Sequence, residues 1–161
     1  MSVEEKFDGV KNTFSLFMAF FNEVAQEIGM EKAVALDAKV GRATNADIGK
    51  MMREQAGAQE IDAKTAYMMT SKAVEEGFAI SSEVIEESPQ KVVFNIGKCP
   101  IHEACQMAGM DSESIEALCR ATSIESMDAM VKELNPNLSY RLAKFRSAED
   151  GCCKEEIVIA E

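Results

Sequence analysis

Eight apolar residues near the start of the chain, Val3, Phe7, Val10, Phe14, Phe17, Phe21, Val24 and Ile28, are spaced alternately by four and three. Side chains at that spacing form one seam along an α-helix, and the seam must be buried against something. Gly29 suits the end of such a helix. Leu16, Met18 and Phe20 widen the apolar face, so the helix is expected to bury more than one side. Two burials satisfy the pattern: the core of the helix's own domain, and a seam shared with a second copy. A homodimer is the expected assembly.

Three more helices are expected before residue 77. The first covers 31–40, stopped by Gly41. The second covers 46–56, with Asn45 as its cap. The third covers 63–76, capped by Asp62 and ended by Gly77. The pairs Met51-Met52 and Met68-Met69 read as core filler.

Beyond Gly77 the period changes from helical to alternating. FAISSEVIEE and KVVFNIG, separated by SPQ, predict an antiparallel hairpin over 78–97. A helix follows over 100–107, closed by Gly109. Asp111 or Ser112 caps the next, with Ile115, Leu118 and Cys119 on one face, and 124–134 is a third. Leu138, Tyr140 and Leu142 alternate as a strand does. AEDG supplies a turn, and CCKEEIVIA returns as the last strand. The order is a helical half, 1–77, and then ββ–αα–ββ over 78–161. That is a single α+β domain, with N-terminal helices packed on a mainly antiparallel sheet built from two hairpins.

The net charge of −11 argues against nucleic acid and against an anionic membrane surface, because both need clustered Lys and Arg. The opening MSVEEKFDGV is acidic where a secretory signal would be basic. The longest apolar run, 16–21, is too short to span a bilayer. The cytoplasm is therefore the expected compartment. There, five cysteines are expected as free thiols, catalytic groups or metal ligands rather than disulfides.

The stretch NIGKCPIHEACQMAG holds two of those cysteines, the only histidine and one of three prolines. Pro100 favours the first helical position, which makes Cys99 the cap residue. A thiol there faces free N–H groups and the positive end of the helix dipole, so a lowered pKa is expected. His102 and Cys105 follow at three-residue steps along one edge. Cys119 arrives from the next helix. Of the tandem pair, Cys153 shares strand parity with Ile157 and Ile159, so it rather than Cys152 is expected to point inward.

The candidate catalytic residues are thus Cys99 and His102, and the candidate metal ligands are Cys99, Cys105, Cys119 and Cys153. The spacings match neither the CxxC pairs of zinc fingers nor the dense ferredoxin runs. Cys105 and Cys119 also read as core packing, and His102 as a surface residue. Arg141 and Arg146 are candidates to clamp a substrate carboxylate. Glu155 and Glu156 read as a solvated face.

KCPIHEACQMAGMDSESIEALCRA and NPNLSYRLAKFRSAEDGCCKEEIVI resemble the L-2-amino-thiazoline-4-carboxylic acid hydrolase family. The resemblance covers about residues 70–160. The matching positions are Cys99 at a helix start, Leu118-Cys119 in the next helix, Arg146 or Arg141 in the last hairpin, and Cys153 after its turn, with Cys152 adjacent. More distantly the order of elements is similar to 4-vinyl reductase domains, which bind small ligands.

The hydrolase resemblance implies opening of a cyclic amidine-like thiazoline by water. That chemistry needs an activated nucleophile and a group to take up developing charge. A hydroxide on zinc or iron held by cysteines would serve. So would a Cys99 thiolate with His102 as acid and base. Three readings follow. The chain is a small-molecule hydrolase acting on C–N bonds, a cysteine-ligated metal or iron–sulfur domain that binds or senses a small ligand without turnover, or a structural dimeric partner.

Overall fold

The computed structural model describes residues 2–57, 60–147 and 151–159. Helix α1 (Val3–Ile28) begins with a capping box, in which the Ser2 hydroxyl accepts the Glu5 N–H and the Glu5 carboxylate accepts the Ser2 N–H. Its core face is Phe7, Met18 and Phe21. Val10, Phe14 and Val24 of the seam are partly buried, while Val3, Phe17 and Ile28 are exposed. The buried part of the seam packs within its own fold, much of it on α4 (Pro100–Met107). Leu16 and Phe20 lie on the far side, 74% and 65% exposed.

Helix α2 (Met30–Ala56) corrects the expected pair of short helices. It runs unbroken through Gly41 and Asn45. The two interior glycines mark close approach rather than a stop. A Cβ on Gly41 would lie 2.3 Å from the Ser126 Oγ, and one on Gly49 would lie 2.5 Å from the Met130 carbonyl oxygen. Both neighbours belong to α6 (Glu125–Leu134), which α2 packs against along its length. At Gly49 the obstacle is backbone, so only a residue without a side chain fits there.

Helix α3 (Ala63–Phe78) is capped by Asp62, whose carboxylate accepts the Thr65 N–H at 2.8 Å. Gly77 does not end it. The stop comes two residues on, at Ala79 in the left-handed region with φ 55°. The first hairpin therefore starts at Ser82 rather than 78. Helix α5 (Ser112–Cys119), a π-helical turn (Arg120–Ile124) and α6 follow one another without a break, where separate helices were expected. The Thr122 and Ser126 hydroxyls donate to their own helix's carbonyls, at 2.8 and 2.7 Å.

Strands β1 (Ser82–Glu87), β2 (Lys91–Ile96), β3 (Leu138–Lys144) and β4 (Cys153–Ile159) form one antiparallel sheet in the order β1-β2-β4-β3. The α+β architecture with two hairpins is as expected. The second hairpin folds so that β4, the last strand, lies inside the sheet beside β2. Val92, Phe94, Ile96, Leu138, Tyr140, Leu142 and Ile157 line its buried face. The AEDG turn falls at residues 148–151, of which 148–150 lie outside the described residues. Among the described residues, no helix is long and apolar enough to cross a membrane.

Candidate functional site

The register of the sheet builds the cysteine site. Ile96, the last residue of β2, pairs with Cys153, the first of β4. Three residues after Ile96 the chain enters α4, with Cys99 as its cap and Pro100 at the first position. The start of α4 is thereby tied to the start of β4, and α5 ends there with Cys119. Cys99, Cys119 and Cys153 interact electrostatically with one another and with Arg146.

Arg146, just past β3, ties these ends together. Its Nε donates to the Cys153 Sγ at 3.4 Å, its Nη1 to the Gly151 carbonyl at 3.3 Å and its Nη2 to the Ile96 carbonyl at 3.5 Å. The guanidinium is partly buried, and these bonds all go to uncharged acceptors.

Sequence reasoning missed Glu155 and Tyr140. Glu155 is the one charged residue among the described residues in the buried class. It lies on the inner face of β4 between Phe94 and Leu142, and the Tyr140 hydroxyl donates to its carboxylate. Tyr140 is itself held from behind, because Asp128 of α6 accepts its backbone N–H at 2.9 Å. The signal for Glu155 was available. The parity that turns Cys153 and Ile157 inward carries Glu155 with them.

The thiols are less acidic than the helix start suggested. Burial pushes the Cys99 thiol up, against the opposing influence of the His102 N–H and the Arg146 charge. The expected lowering is corrected for that reason. The N–H groups of Ile101 and His102 face the sulfur without closing a cap hydrogen bond. Burial also raises Cys119 to about 12 and Cys105 to about 11. The Glu155 carboxyl is pushed up by burial, with Tyr140 and Arg146 opposing. His102 is pushed down by burial and by Arg146, so its imidazole stays neutral near pH 7.

The remaining candidates are placed as follows. Cys153 is buried and Cys152 only partly, as strand parity expects. Cys105 sits in the hydrophobic core below Cys99. His102 is partly buried, its ring centroid 6.0 Å from that of Phe145. Arg141 is exposed on the opposite face of β3 from Tyr140, paired in register with Glu156, and is not part of the cluster. Among the described residues, no three Cys, His, Asp or Glu side chains come together as a metal's ligands do. The set Cys99, Cys105, Cys119 and Cys153 thus does not fit zinc or iron as arranged, and no step below runs through a metal. An open depression of about 450 Å³, lined by Glu60, Asp62, Pro89, Gln90 and Ile159, lies at the other end of β4 and contains none of these residues.

The fold is shared with proteins of different kinds. A trafficking protein particle complex subunit 3 from Naegleria fowleri, covalently bound to palmitic acid, is 11% identical with a TM-score of 0.54; the match covers 94% of this chain and 97% of that one. The phenol-responsive sensory domain of the transcription activator PoxR, with phenol, is 14% identical with a TM-score of 0.61, covering 91% and 74%. An Fe(II) unliganded H-NOX protein mutant from K. algicida is 10% identical with a TM-score of 0.50, covering 98% and 87%. At these identities the likeness is one of fold alone. No curated protein matches the chain significantly in sequence. A family match covers residues 11–155, and so takes in most of the helical half as well as the cysteine end. This chain belongs to the L-2-amino-thiazoline-4-carboxylic acid hydrolase family.

Proposed function

We propose that the chain hydrolyses a small cyclic amidine that carries a carboxylate, opening its C–N bond at the site formed by Cys99, His102, Arg146 and Cys153. One observation carries this reading within the family: Cys99, at the start of α4, lies in the electrostatic reach of Arg146, and Arg146 bonds to Cys153. In this reading Cys99 is the nucleophile and Arg146 the fixed cation beside it. The guanidinium offers planar donors to a substrate carboxylate.

Burial keeps Cys99 a thiol until a base removes its proton. His102, held neutral and three residues along the same helix edge, is that base. The sulfur then attacks the amidine carbon. An S–C bond forms as the ring C–N bond opens, and the proton passes from His102 to the departing nitrogen. Water next adds to the same carbon, the S–C bond breaks and the thiol is restored. The Ile101 and His102 N–H groups at the start of α4 face the sulfur and favour the negative charge that it carries during attack.

The test is turnover of L-2-amino-thiazoline-4-carboxylate, followed by loss of the ring and appearance of a primary amine. The wild type should release the amine, and Cys99→Ser should be at least about 100-fold slower. Undiminished turnover in Cys99→Ser would remove Cys99 as nucleophile. No turnover by the wild type would remove the hydrolase reading.

A further inference from the structure

Glu155 has no role in the chemistry above, and folding alone does not account for it. The other buried polar residues, Thr70, Thr122 and Ser126, are hydroxyls that bond to carbonyls of their own helices. Glu155 is a carboxyl in an interior strand, with apolar Phe94 and Leu142 as its register partners on either side. An apolar residue there would remove the cost of desolvating an acid.

The carboxyl is also held in place. The Tyr140 hydroxyl donates to it, and Tyr140 is anchored through its backbone to Asp128. It stands two residues from Cys153 on the same face of β4, a rise of roughly 6.5 Å along the strand. Arg146 touches Cys153 and influences Glu155 through space, yet among the described residues the two charges do not close an ion pair. Tyr140, Arg146, Cys119 and Cys153 are the charged or titratable groups around it.

A guanidinium and a carboxyl held near each other but not joined can be bridged by a ligand that carries both charges. We infer that Glu155, positioned by Tyr140, receives the cationic amidinium end of a substrate whose carboxylate Arg146 holds. The two residues then select a small zwitterion with its charges on opposite sides of a ring. The assignment rests on the hydrolase reading for the carboxylate end, and it adds the residue that distinguishes a charged ring from a neutral one. Amidinium and carboxylate match in planar, two-point hydrogen bonding, so the pair also fixes the ring's orientation.

The test is calorimetric titration of the full-length protein with two stable probes. One is 2-aminoimidazoline-4-carboxylate, whose ring carries a permanent guanidinium. The other is thiazole-4-carboxylate, whose ring is neutral. The wild type should bind the cationic ring at least about tenfold more tightly. Glu155→Gln, which keeps an acceptor for Tyr140, should abolish that preference and bind the neutral probe within about twofold of the wild type. Equal binding of both probes by the wild type, or an undiminished preference in Glu155→Gln, would overturn the assignment. If Glu155→Gln does not fold, Glu155→Asp replaces it: drawing the carboxylate back should weaken the preference, and an unchanged preference would overturn the assignment. The preference seen without thiazoline turnover would instead count against the hydrolase reading alone.

Discussion

The contact of α2 with α6 and the cysteine end of the sheet are both buried, but opposite rules govern them. At the helix contact, Gly41 and Gly49 remove side chains so that backbones can approach, and the nearby hydroxyls are satisfied within their own helix. Dispersion at close range is the reward there, and no group is left to react. At the cysteine end, three thiols, a guanidinium, a phenol and a carboxyl are gathered where apolar packing would have been more stable. Close backbone packing governs the first region, and the groups able to do chemistry are gathered in the second.

The largest expected effect breaks the helix contact. In an exposed helix interior, Gly→Ala stabilises by up to about 1 kcal/mol. Gly9 in α1 has open space around it, so Gly9→Ala should follow that rule. Gly49→Ala should reverse it, because the new Cβ meets the Met130 carbonyl at 2.5 Å and the Glu133 Cβ at 2.9 Å, neither at the end of a flexible side chain. A loss of about 2 kcal/mol is expected in denaturant unfolding. A Gly49→Ala protein as stable as Gly9→Ala would show that the contact is loose.

At the other region the sign should invert. The folded-state pKa of Glu155 is raised above its unfolded value of 4.5. Below pH 4.5 the group is protonated in both states and its burial is least costly. As pH rises through the folded value, the folded protein must ionise a buried acid and loses that stability. Glu155→Gln removes this loss, so it should gain on the wild type from acid toward neutral pH. Unfolding titrations at pH 4 and pH 7 compare the two. A variant that falls behind the wild type as pH rises would mean that the carboxylate is a stabilising ion and not a functional burden.

The smallest effect concerns reactivity. With Cys105 near 11 and Cys119 near 12, about one thiol in a thousand or fewer is ionised at pH 8. Both should resist iodoacetamide in the native state and react after unfolding, as peptide mass mapping would show. Fast native alkylation of either would mean that the cluster is open to solvent.

Much of this contrast could be read from the chain before its fold was known. Period alone gave the helical half, the two hairpins and their order, because burial of a stripe or an alternating face leaves its mark on every turn and every second residue. Gly41 misled because local propensity describes a helix in water, whereas Gly41, like Gly49, answers to a partner more than 70 residues away. Gly77 misled in the opposite sense: the chain found its left-handed stop at Ala79, a residue that seldom adopts it. At the site, Cys99, Cys153 and Arg146 stood out by residue type and parity. Glu155 did not, since an acidic pair near a chain end is usually solvated. Its burial depends on β4 lying inside the sheet, and strand order is not written in local pattern.

Arg146→Gln tests the division between the two regions most directly, with thiazoline turnover and the unfolding midpoint measured on the same sample. The guanidinium is assigned to hold the substrate, and its bonds to Gly151 and Ile96 are long. Turnover should be slower by about 100-fold, with stability lowered by no more than about 1 kcal/mol. Turnover at the wild-type rate, or loss of turnover only in step with unfolding, would contradict that division.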